Sequence, residues 1–214
     1  MRRIFCTGVF LIFMCLSASA SAAGTAFNWT GLYTGLQGFY GSGKIDWEYD
    51  NSGNSANHNY YGAMGGLFLG YNYQLPVNAV FGFEIDLNAG KISGSGLCPN
   101  PLFTANTDIS WLGSARARAG YAFYRFLPYV AFGVAYVRAD IYTKRNGVEY
   151  GEEKTYVGWT PSIGLEYAFT NNLVARMEYA YYDFNRQHFR VDNGLSVEGR
   201  LNLNALKFGL IWKF

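Results

Sequence analysis

Two arginines spaced two residues apart, Arg116 and Arg118 in the stretch WLGSARARAGYAF (111–123), are the first groups whose type and spacing suggest chemistry. A guanidinium is permanently charged, and its planar fork of donors matches a carboxylate. Their neighbours are mostly apolar, so neither open solvent nor an ordinary core explains them. The stretch FGFEIDL (81–87) places two acids, Glu84 and Asp86, at the same spacing. In an extended chain, that spacing puts both members of a pair on one face. Glu166, Arg176, Glu178 and Lys207 stand in similar surroundings and complete a set of four acids and four bases. Such a balanced set suits either a closed network of ion pairs or a polar path for ions.

Other reactive types are sparse. The two histidines, His58 and His188, fall in polar stretches that read as loops. Solvated loop histidines are the simpler reading. A haem site using them, with Tyr60 or Tyr61, is the functional alternative, since histidine and tyrosine both ligate haem. No other cofactor and no metal site are expected. A hydrolase or acyltransferase would need Ser, His and an acid to converge. NYY follows His58 and FRV follows His188, with no convergent serine, so no catalytic residues are assigned.

The N-terminus MRRIFCTGVFLIFMCLSASASAA carries Arg2 and Arg3, an apolar run from Ile4 to Leu16, and then small residues. This is the pattern of a cleaved secretory signal peptide, residues 1–22, leaving 23–214 as one domain. Cleavage removes two of the 17 basic residues, so the mature chain matches its 15 acids and has no net charge. Nothing then points to nucleic acid. Cys6 and Cys15 leave with the signal, and Cys98 alone cannot form an internal disulfide.

The composition is 19% aromatic and contains 26 glycines, but only 15% of residues are charged, against roughly 25% in ordinary soluble domains. Beyond the signal, no stretch is continuously apolar for the ~18 residues a spanning helix needs. The elements that must position the charged groups are strands. Period-two patterning marks eight segments: 29–41, 61–73, 79–89, 107–121, 128–138, 155–169, 173–183 and 201–214. Their connections alternate. QLPVN, AFYRF and TNN are short; 42–60, 90–106, 139–154 and 184–200 are long and polar. This predicts an all-β fold, an eight-stranded antiparallel up-and-down transmembrane β-barrel.

Each strand has one apolar face and one small or polar face. Phe81, Phe83, Ile85 and Leu87 oppose Gly82, Glu84, Asp86 and Asn88, for example. A soluble sandwich would alternate in the same way. The signal peptide, the strand lengths of about 11–15 residues and aromatics near strand ends favour apolar faces outward. Trp29, Tyr71, Tyr73, Trp111, Tyr121, Tyr136, Phe169 and Trp212 are the expected interfacial girdle. In the opening stretch, Ile109, Trp111, Ala115, Ala117, Ala119 and Tyr121 would face lipid, and Ser114, Arg116 and Arg118 the interior. An eight-stranded barrel is filled by its own side chains, so the interior charges must pair. Arg116 and Arg118 are expected to meet Glu84 and Asp86, and Glu178 to meet Lys207.

The stretches 27–43, 81–87, 111–136, 157–184 and 203–214 resemble small OmpA-like β-barrel surface proteins of alphaproteobacteria. The resemblance implies an outer-membrane barrel acting as a surface antigen with a role in envelope integrity, and some members bind haem. It implies termini on the periplasmic side and long loops outside. Phe208, Leu210, Trp212 and the terminal Phe214 share one face and resemble the signal read by the barrel-assembly machinery. No peptidoglycan-binding domain follows Phe214, so cell-wall tethering is not expected. The implied partners are outer-membrane lipid and lipopolysaccharide. A monomer is expected, with an oligomer left open. A structural surface barrel is the leading reading; a narrow porin or a haem-binding barrel stands as the alternative.

Overall fold

A computed structural model describes residues 26–49, 55–97, 104–145, 148–191 and 195–214. The signal segment 1–22 and Cys98 lie outside these residues. The order is β1 (Gly31–Tyr49), β2 (Ser55–Gln74), β3 (Ala79–Leu97), β4 (Thr104–Tyr121), β5 (Phe126–Arg145), β6 (Val148–Ala168), β7 (Leu173–Val191) and β8 (Leu195–Lys213). Each strand pairs antiparallel with the next, and β1 with β8, closing the barrel in chain order. Closure leaves no free sheet edge in the spanning part, which a bilayer requires of a β structure.

The strands are longer than the alternating pattern suggested. They run 18 to 21 residues, and the stretches expected as long loops are largely continuations of paired strands. His58 and His188 therefore lie in β2 and β7, not in loops. Backbone pairing does not depend on side-chain type, so the ladders run on past the point where hydrophobic alternation stops.

The other end is closed by three tight turns, at 75–78, 122–125 and 169–172. Asn78 and Tyr124 adopt positive φ, 66° and 54°. The Asn78 carbonyl then accepts from Ala122 N (2.8 Å), and that of Tyr124 from Phe27 N (3.1 Å). The first bond ties two turns together; the second holds the segment 26–30 under the barrel, where Trp29 N donates to Gln74 Oε1 (2.8 Å). Trp29 is 2% exposed and packs edge-to-face on Phe27 at 4.6 Å, so it is an internal plug residue, not the girdle residue expected. A segment this short has no period that would show it turning inward.

The faces sort by parity. Outward residues such as Leu67, Phe83, Ile163, Phe208 and Trp212 are 51–61% exposed to the surroundings of the barrel. Tyr71, Tyr73, Trp111, Tyr121, Tyr136 and Phe169 are exposed too, as a girdle requires. Ile109 departs from the expectation: it is buried inside. The register slips between Ile109 and Trp111 against β5, and between Ala89 and Ile92 against β4. A bulge adds a residue to one strand and reverses which parity faces in.

The interior has three layers. Near the turns an apolar cluster contains Phe27, Trp29, Phe68, Val80, Leu127 and Ile211. Near the long hairpins a second cluster contains Phe39, Met64, Ile109, Leu112, Tyr182 and Leu203. The charged residues lie between them.

Candidate functional site

The central layer is built by ladder register. Glu84 stands opposite Arg116 on β3 and β4, Glu166 opposite Arg176 on β6 and β7, and Glu178 opposite Lys207 on β7 and β8. All eight charged side chains singled out from the sequence point inward and are buried. Barrel closure then joins residues on strands that are not neighbours.

Glu84 is the hub. Its Oε1 accepts from Arg116 Nη2 (2.8 Å) and Arg176 Nη1 (3.0 Å). Its Oε2 accepts from Arg176 Nη2 (2.6 Å), the Tyr33 hydroxyl (2.8 Å) and Arg118 Nη1 (3.4 Å). Glu166 Oε1 takes Arg118 Nη2 (2.7 Å) and Arg176 Nε (2.9 Å). Glu178 takes Arg116 Nη1 at Oε1 and the Tyr129 hydroxyl at Oε2, both at 2.6 Å. Lys207 Nζ is 3.7 Å from the same Glu178 Oε1. Asp86 accepts from the Ser114 hydroxyl and from Asn88 Nδ2, and lies 3.6 Å from Arg116. Arg116 and Arg118 thus meet Glu84, but their closest carboxylates also include Glu178 and Glu166 across the lumen.

Aromatic rings complete the packing. Arg118 lies 3.9 Å from the Tyr129 ring centroid and Arg176 4.3 Å from that of Phe68. Desolvated cation–π contacts of this kind add to ion pairing. Lys207, wholly buried, sits between Phe39 (5.6 Å) and Tyr182 (5.4 Å). Removing charges from water costs several kcal/mol per ion, so only a dense set of partners keeps them here.

Tyr33 and Tyr129 are functional members that residue type alone misassigns, since aromatics read as lipid-facing. Their parity was the available signal: Tyr33 shares its face with Gln37, which is also buried. Room for the rings comes from glycine. A Cβ on Gly164 would sit 2.5 Å from the Tyr129 ring, and one on Gly70 would strike the Tyr33 hydroxyl.

The two histidines weighed for haem stand on β2 and β7. His58 is in register with Ile45 of β1, and His188 with Glu198 of β8, so β1 and β8 separate their strands. The Tyr60 side chain is buried and its hydroxyl donates to the Asn202 carbonyl, while Tyr61 faces outward. Among the described residues, no three His, Cys, Asp or Glu are grouped to hold a metal. Phe208, Leu210 and Trp212 of β8 and Phe214 just past its end form an outward row, and Phe214 N donates to the Leu32 carbonyl (3.0 Å).

An apolar outer belt around a lumen packed with paired charges defines the class: an integral membrane β-barrel. Residues 8–214 match the family model for the outer membrane protein beta-barrel domain, and the chain belongs to that family. It is 31% identical to the 31 kDa outer-membrane immunogenic protein of Brucella melitensis over 92% of this chain and 89% of the relative. It is 33% identical to a 22 kDa outer membrane protein of Rhizobium leguminosarum bv. viciae, over 88% and 80%. Among solved structures, the outer membrane protein OprG from Pseudomonas aeruginosa superposes with a TM-score of 0.51. It covers 89% of this chain and 100% of OprG at 11% identity, a likeness of fold alone. The chain is an integral barrel of the Gram-negative outer membrane with a surface role.

Proposed function

We propose that this protein is a closed, non-conducting barrel whose work is structural: it strengthens the envelope and displays its four long hairpins outside the cell. The tight turns and both chain ends then face the periplasm. The observation that carries the reading is the bidentate bridging of Glu84 by Arg176 within a layer of paired charges, with an apolar cluster on either side. Ions crossing such a lumen would have to break several buried ion pairs and pass two apolar clusters. Nothing in the role requires a reaction or a cofactor. Its partners are membrane lipid and lipopolysaccharide around the belt and the assembly machinery during insertion; the barrel works as a monomer.

Planar-bilayer recording tests the reading. The purified barrel is expected to give no reproducible open state. A discrete conductance that changes in Arg116→Ala would establish the narrow-porin alternative instead. Heat-modifiable gel migration and protease access on intact cells check the barrel and its orientation independently: a mobility shift and cleavage confined to the hairpins are expected.

A further inference from the structure

The outer belt is not uniformly convex. A groove of about 680 Å³ crosses it in the half nearest the tight turns. Small or side-chain-free positions, Ala119, Gly120, Pro128 and Gly164, form its floor, and Tyr121, Ile163 and Tyr179 stand along it. The floor and sides are apolar and face the bilayer. What covers the groove in the membrane must therefore be hydrocarbon.

The turn that leads into the groove's β5 residues carries one cation. Arg125, in the turn between β4 and β5, donates from Nη1 to the carbonyls of Ala168 (3.2 Å) and Phe169 (3.5 Å). Its Nη2 reaches Asn171 Oδ1 at 3.5 Å. Among the described residues no carboxylate pairs with it, in contrast to the arginines of the lumen. It lies three residues before Pro128, about 10 Å of strand. Aromatic rings surround this level: Phe126 on Tyr167 (4.6 Å), Tyr167 on Phe169 (5.0 Å) and Tyr121 on Phe123 (4.7 Å). Such rings settle at the depth of lipid headgroups. An unneutralised guanidinium at headgroup depth, next to an apolar groove, matches an amphiphile with an anionic head and an acyl tail.

We propose that this face binds one anionic phospholipid of the periplasmic leaflet, its acyl chain in the groove and its phosphate on Arg125. Arginine suits the phosphate through its planar donor fork. The assignment rests on the orientation given above, with the tight turns in the periplasm.

The test is electron spin resonance on the mature barrel in phosphatidylcholine bilayers containing trace spin-labelled phosphatidylglycerol or spin-labelled phosphatidylcholine. The motionally restricted fraction gives the relative affinity of the two lipids. Phosphatidylglycerol is expected to be preferred about fivefold, the effect of one basic residue near a charged headgroup. Arg125→Gln should abolish the preference and Arg125→Lys keep it. Ala119→Phe, apolar and lipid-facing, should fill the groove and lower the restricted fraction of both lipids. Equal affinity in the unmodified barrel, or a preference that survives Arg125→Gln, overturns the proposal. Heat-modifiable migration separates the two failures. A barrel that shifts normally but shows no preference removes only the lipid site, whereas one that does not shift removes the barrel reading beneath it.

Discussion

Arg176 on β7 clasps Glu84 on β3 with both terminal nitrogens, Nη1 to Oε1 at 3.0 Å and Nη2 to Oε2 at 2.6 Å, straight across the barrel. The two strands are as far apart as an eight-stranded ring allows, so this pair ties opposite walls. Neighbouring strands are already held by backbone ladders. A cross-lumen tie adds a constraint that no ladder supplies.

Glu84→Ala should therefore be among the most damaging substitutions in the lumen. It leaves three arginines to share the remaining carboxylates and is expected to cost about 3–5 kcal/mol. Urea unfolding in lipid vesicles measures this. The double variant Glu84→Gln with Arg176→Met should lose less than the sum of the single changes, because their shared contact is removed only once. Additive losses would show that the clasp contributes nothing.

Gly164 and Gly38 make a matched pair. A methyl on Gly164 collides with the Tyr129 ring, whose hydroxyl holds Glu178. A methyl on Gly38 meets nothing closer than the Met64 carbonyl at 3.9 Å. Gly164→Ala should destabilise by about 1–3 kcal/mol, and Gly38→Ala should stay within about 0.5 kcal/mol of the parent. Equal unfolding midpoints would refute the packing role assigned to Tyr129.

The lipid-facing assignment predicts a depth profile. Phe132, whose ladder partner Ala117 lies between Arg116 and Arg118, is 59% exposed on the belt. Phe132→Arg should cost about 2–4 kcal/mol at that depth. Tyr124→Arg, in a turn at the rim, should cost about 0–1 kcal/mol. The comparison is read from refolding equilibria in vesicles, and a tolerated Phe132→Arg would argue that this face meets water.

Phe214→Ala separates folding from assembly. The Phe214 ring is exposed, and its backbone N–H to Leu32 survives the change. Refolding into vesicles should match the parent, while the amount inserted in cells falls if the outward row on β8 is read by the assembly machinery. Unchanged insertion in cells would remove that role from the terminal residue.

Much of this was legible in the residues. The strand number, the places of the three tight turns and the inward parity of all eight interior charges follow from period-two patterning, a local property set by the pleat. The strand ends were not legible, because backbone pairing runs on where hydrophobic alternation stops. Nor was the burial of Ile109: a bulge at Ser110 reverses parity without a residue type that announces it. Tyr33 and Tyr129 were hidden by their type, and Trp29 by a fold-back held by the Tyr124 carbonyl and the Gln74 side chain.

The sequence by itself determined the cast of charges and the face they occupy. Only the tertiary structure decided which acids and bases meet across the lumen. Register places Glu84 opposite Arg116, but the clasp of Glu84 by Arg176 arises when the sheet closes on itself. Closure brings together residues 92 apart in the chain, and no local pattern encodes that separation.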